Sequence, residues 1–133
     1  MEYLLTRLDD RILSLNNVKK KALVAYLVAG DPSLDLTLEL MHGFVDAEVD
    51  ILEIGVPFTD PIAEGPIIQA AHDRALKNHT SLSDIFKLVE RFREKDTETP
   101  IILMGYMNTF LANSQALQEA HTSGTDAVLI VDV

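Results

Sequence analysis

The sequence predicts an α/β fold of parallel strands alternating with helices, of the (β/α)8 (TIM) barrel type, with only the first four βα units present. Three observations lead there. Four short runs, Ala22 to Gly30, Val49 to Val56, Pro100 to Met107 and Thr125 to Val133, are nearly continuously apolar rather than alternating. Strands covered on both faces read this way, which implies a parallel sheet. The stretches between them place apolar residues at helical spacing. Finally, polar groups gather where the runs end, at Gly30-Asp31, Thr59-Asp60, Glu64 and Asn108, the rim on which barrel enzymes carry their chemistry. A doubly wound sheet shares the alternation and stays open on pattern alone. The chain holds neither Gly-x-Gly-x-x-Gly nor a Walker motif, which lowers the dinucleotide and nucleotide readings.

In chain order, an opening helix is expected from Glu2 to Leu15, with Leu4, Leu5, Leu8, Ile12 and Leu15 on one stripe. The first strand lies in "ALVAYLVAG". Asp31-Pro32-Ser33 then opens a helix to Ala47, with Leu34, Leu38, Met41 and Val45 aligned. The second strand, "VDILEIGV", leads into a loop rich in Gly and Pro. Pro66 starts the next helix, at the position where its missing N–H costs nothing. Ser81 caps another, ending at Lys95, whose stripe is Leu82, Ile85, Phe86, Val89 and Phe92. "PIILMGYM" is the third strand. A shorter helix from Asn113 is ended by Gly124, and "TDAVLIVDV" is the fourth strand. The whole, 1–133, reads as a single domain.

Composition narrows function. Hydrophobic residues make up 47% of the 133, enough for a core. A net charge of −10 disfavours nucleic acid, whose phosphates need clustered Lys and Arg. Lys19-Lys20-Lys21 is the single basic cluster and reads as a solvated edge before a strand. Without cysteine there is no disulfide, thiolate nucleophile or Cys-based zinc site. No run approaches the roughly 20 apolar residues of a membrane span, so a soluble, cytoplasmic protein is expected. His42, His72, His79 and His121 lack ligand spacing and read as ordinary surface or helix-end histidines. Neither metal nor cofactor is expected.

Glu53 is the sharpest signal. Strand periodicity turns Ile51, Glu53 and Gly55 to one face and Leu52 and Ile54 to the other. A carboxyl in a buried strand either pairs with a Lys or Arg, or is left unpaired with its pKa raised, which suits a proton carrier. The loop that follows, with Gly55, Pro57, Pro61, Gly65 and Pro66, brings Asp60 and Glu64 to the same rim. Two carboxyls in different surroundings can divide acid and base work. Taken separately, Asp60 could open a turn and Glu64 could be solvated.

"LEIGVPFTDPIAEGPIIQAA" resembles the signature of the tryptophan synthase alpha chain family, LELGVPFSDPxADGPxIQ. "AYLVAGDPS", "PIILMGYMN" and "GTDAVLIVDV" resemble that family's first, third and fourth strands, in order. The resemblance implies a lyase that splits indole-3-glycerol phosphate into indole and glyceraldehyde 3-phosphate. It implies that Glu53 is the acid/base and that Glu64 holds the indole N–H. Tyr26, Met104, Tyr106 and Leu129 would line the indole pocket, although core packing explains each of them alone. Asp60 matches a loop Asp whose family role is in loop closure and communication with the tryptophan synthase beta chain, and Pro57, Thr59, Asp60 and Asn108 are the candidates for partner contact.

The chain departs from the family pattern at four points. Glu64 stands for the usual Asp, a methylene longer, and misplacement by about an ångström can cost on the order of 100-fold in rate. Glu48 stands for a helix-ending Gly. "NTFLANSQALQEA" lacks the usual Asn-Pro and Gly and is short. Only four of a barrel's eight strands are present, and with them no phosphate site, so the chain is expected to be inactive alone. A fragment of a longer chain and a truncated relative that self-associates both fit. A half-barrel interaction module, self-associating or binding a beta-type chain, is the alternative to an enzyme. Another phosphate-handling barrel family would need a different loop after the second strand.

Overall fold

The computed structural model describes residues 5–133. Their order is α1 (Arg7–Asn17), β1 (Val24–Val28), α2 (Leu34–Asp46), β2 (Ile51–Gly55), α3 (Pro66–Lys77), α4 (Leu82–Arg93), β3 (Ile101–Gly105), α5 (Met107–Leu111), α6 (Ala116–Ser123) and β4 (Ala127–Ile130). The strands form one parallel sheet in the order β1-β2-β3-β4. A doubly wound sheet reverses direction at a switch point, whereas this one advances strand by strand. That settles the alternative left open by the pattern.

One face of the sheet is covered. Ala25 and Leu27, Leu52 and Ile54, Ile101 and Leu103, and Val128 and Ile130 pack with Met41, Ile85, Phe86, Val89 and Phe92 from α2 and α4, and with Ala116 and Ala120 from α6. The alternate residues form the opposite face. Register places Tyr26, Glu53, Ile102 and Ala127 in one row, and Val28, Gly55, Met104 and Leu129 in the next row towards the strand C-termini.

Local signals explain the helix ends. Thr6 and Ser81 each form a capping box, with Asp9 and Asp84 reaching back. Ser33 caps α2. At the end of α2, Glu48 N–H bonds Val45 O and Val49 N–H bonds Phe44 O at 3.0 Å, a Schellman closure. Glu48 therefore occupies the left-handed position, φ 67°, that glycine fits best. Beneath the sheet, Arg93 bonds the Gly124 and Thr99 carbonyls and Asp126, while Arg7 joins the same Asp126 and fixes α1 there.

Three details differ from the sequence reading. Residues Glu2 and Leu4 of the opening helix lie outside the described residues, and α1 runs on to Asn17 with none of its residues buried. The expected helix from Asn113 begins at Ala116, and a separate short helix, α5, precedes it. Five residues are too few to show a helical period. His72 is fully buried rather than superficial. It shares the inner stripe of α3 with Ala71 and Ala75, whereas His79 and His121 are exposed.

Candidate active site

Glu53 and Tyr26 face each other across β1 and β2 on the face that the α2, α4 and α6 layer leaves uncovered. No hydrogen bond or ion pair among the described residues reaches the Glu53 carboxyl, so the salt-bridge explanation for this acid does not apply. Burial raises its pKa from the ordinary glutamate value, because a partly desolvated site disfavours the charge. Tyr26 leans over Gly55, where any Cβ would run into its hydroxyl; this close approach is what requires glycine. Burial chiefly, then the charges of Glu64 and Glu53, raise the Tyr26 pKa. The charges of both acids therefore act on one phenol.

Glu64 arrives from the loop between β2 and α3, and its side chain is only 7% exposed, not solvated. Tyr106, at the end of β3 and 1% exposed, shapes this loop. Its hydroxyl accepts the Ala63 N–H at 3.0 Å and donates to Glu64 Oε2, and Phe58 stacks on its ring at 4.8 Å. Burial, with the Glu64 hydrogen bond second, pushes the Tyr106 pKa up to about 12, so it remains a donor through the neutral range. Gln69 from α3 bonds the Glu64 carbonyl at 2.7 Å, and Asp31 ties the β1 end to Arg74 of α3 through two bonds.

Of the ten residues singled out in the sequence, four lie on this face and two more, Glu64 and Tyr106, are bonded to each other. Glu53, Tyr26, Met104 and Leu129 share the uncovered face, with Leu129 46% exposed. Glu64 and Tyr106 meet above them. Thr59, Asp60 and Asn108 are exposed on the same rim, while Pro57 is buried beneath it.

Sequence reasoning missed His72. Its Nδ1 accepts the Phe58 N–H at 3.0 Å and its Nε2 lies 3.3 Å from Glu64 Oε1. Spacing carried a usable signal: Ile68, Ala71, His72 and Ala75 form one helical stripe, so this histidine points inward. Among the described residues, the buried side-chain atoms without a formed hydrogen bond are Tyr26 Oη, Glu64 Oε1 and His72 Nε2. All three belong to this cluster.

The family model for the tryptophan synthase alpha chain matches residues 12–133. The tryptophan synthase alpha chain of Alkalilimnicola ehrlichii is 48% identical over 131 residues, covering 97% of this chain and 48% of that protein. That of Neisseria meningitidis serogroup B is 53% identical over 114 residues, covering 84% and 44%. The crystal structure of tryptophan synthase subunit alpha from Legionella pneumophila superposes with a TM-score of 0.95 at 43% identity, over 97% of this chain and 50% of that one. The tryptophan synthase complex from Pyrococcus furiosus gives 0.79 at 42%, over 84% and 46%. The chain spans about half the length of the curated relatives it matches.

Proposed function

The chain belongs to the tryptophan synthase alpha chain family, and from that premise we propose that Glu53 and Glu64 carry the proton chemistry of its lyase reaction, the cleavage of indole-3-glycerol phosphate. The observation that carries the reading is the contrast between the two acids. One is unpaired and partly desolvated on a rigid strand; the other is held by a buried tyrosine on a folded-down loop.

The reaction is a retro-aldol cleavage and needs one net proton movement. A proton delivered to indole C3 makes the ring a cation centred on N1. Loss of the proton from the hydroxyl beside the ring lets that oxygen form the aldehyde C=O while the C–C bond breaks. The bonding pair returns to the ring as neutral indole. Glu53, with its pKa raised, can give the first proton and take the second. Glu64 accepts the N1–H and stabilises the charge that develops there. Tyr26, Met104, Tyr106 and Leu129 would wall the indole plane.

Thr59, Asp60 and Asn108, with Pro57 shaping the loop beneath, form the rim offered to a beta-type chain, and the cytoplasm is the location this biosynthetic role implies. Self-association is a second reading, favoured by Val24 and Leu129, apolar and exposed on the uncovered face.

The test follows proton exchange at indole C3 in D2O, a partial reaction that needs no phosphate site. The chain is expected to accelerate it and Glu53→Gln to abolish the acceleration, while indole release from indole-3-glycerol phosphate by the chain alone stays unmeasurable. Exchange indifferent to Glu53→Gln would overturn the assignment of the acid. Robust release by the chain alone would overturn its dependence on further structure.

A further inference from the structure

We propose that His72 is a positioning residue: through its Nε2–H it holds the Glu64 carboxylate in the orientation that receives the indole N–H. The proposal rests on the substrate reading above and adds a residue which that reading does not contain.

The contacts of the His72 ring fix its tautomer. A ring nitrogen that accepts a hydrogen bond carries no proton, and Nδ1 accepts the Phe58 N–H at 3.0 Å. The proton of the neutral ring is then on Nε2. That atom faces Glu64 Oε1 at 3.3 Å, and among the described residues neither atom has another hydrogen-bond partner. A small rotation of the carboxyl closes the contact, and catalytic hydrogen bonds are commonly long before substrate enters.

The burial is what makes this a device rather than a surface contact. The His72 side chain is 0% exposed, so water does not compete for Nε2. Its position is set by the inner stripe of α3, with Ala71 and Ala75 packed against Val28 of β1. The backbone N–H of Phe58 fixes the ring from the other side. A donor locked at both ends of its ring can orient what it touches.

Glu64 needs such orientation. It has one more rotatable bond than the Asp of the family signature, so one donor fixes one oxygen but leaves the carboxyl plane free to turn. Tyr106 engages Oε2 and His72 faces Oε1. Two donors on two oxygens set the plane. Each carboxylate oxygen has a second lone-pair site, and those remain for the substrate.

The experiment uses the isotopically labelled 133-residue chain at pH 7, read by imidazole 15N and carboxyl 13C spectra. The expected wild-type pattern is His72 neutral, with Nε2 protonated and Nδ1 not. In His72→Phe, a ring of similar bulk without nitrogens, the Glu64 carboxyl carbon shifts although the amide spectrum of the four strands is retained. His72→Gln, whose amide accepts at one atom and donates at the other, restores the signal. A merely structural histidine would give no such rescue. A proton on Nδ1, a charged ring at pH 7, or a Glu64 signal unmoved in His72→Phe would overturn the proposal.

Indole added as a probe separates this from the substrate reading. If both hold, indole moves the Glu64 carboxyl signal in the wild type and in His72→Gln, and the response is lost in His72→Phe. If indole moves Glu64 equally in His72→Phe, positioning is overturned and the substrate reading stands. If it moves Glu64 in none of them while the tautomer and rescue hold, the substrate reading is what fails.

Discussion

Glu53 and Glu64 are the same residue type in opposite surroundings, and the difference has a consequence for stability. The Glu53 pKa is raised in the folded chain by burial, so folding favours the protonated form. The sign follows by linkage: the native state binds more proton at this site than the unfolded chain does, and stability falls as pH rises through the ordinary value of 4.5 towards the folded one. Glu53→Gln, which cannot ionise, should therefore melt at a higher temperature than wild type at pH 7. The gap should narrow as pH falls to 4.5 and below. A thermal melt series over pH checks this, and an advantage that widened in acid would contradict it. The position of this acid was legible because a charge inside an apolar strand is conspicuous. The surroundings of Glu64 were not, because they depend on Tyr106 and His72, which lie 42 and 8 residues further along the chain.

Elements were legible where local chemistry decides them. Ser81 reads as a cap because a hydroxyl before an apolar stripe satisfies free helix N–H groups, and it caps α4; Ser33, read only as part of the opening of α2, caps that helix in the same way. Pro66 opens α3 for an equally local reason. The short α5 escaped notice because Phe110, buried against Gly105, holds it through a tertiary contact rather than a repeated pattern. Glu48 shows the reverse case, a visible departure whose structural meaning is now explicit. A side chain in the left-handed region costs about 1–2 kcal/mol relative to glycine, partly offset by glycine's greater freedom in the unfolded chain. Glu48→Gly is expected to stabilise the chain by about 1 kcal/mol in urea unfolding, without changing the slope. A loss of stability would show that the Schellman closure of α2 depends on the Glu48 side chain.

At the scale of the whole molecule, the sequential parallel sheet has one face packed under α2, α4 and α6 and an opposite face that meets α3 at the β1 side, and strand alternation assigns residues to each. Alternation was readable in the sequence; which face would carry the helices was not, since continuous apolar runs suit cover on both sides. The structure puts Met104 and Leu129 on that opposite face beside Glu53, and their neighbours Leu103 and Val128 under the helices. The candidate site is therefore a face to which all four strands contribute rather than a pocket within one unit. Methyl spectra recorded while indole is added test this most directly. The methyl signals of Met104 and Leu129 should shift and those of Leu103 and Val128 should not. Equal shifts on both faces, or none on the Glu53 face, would contradict it.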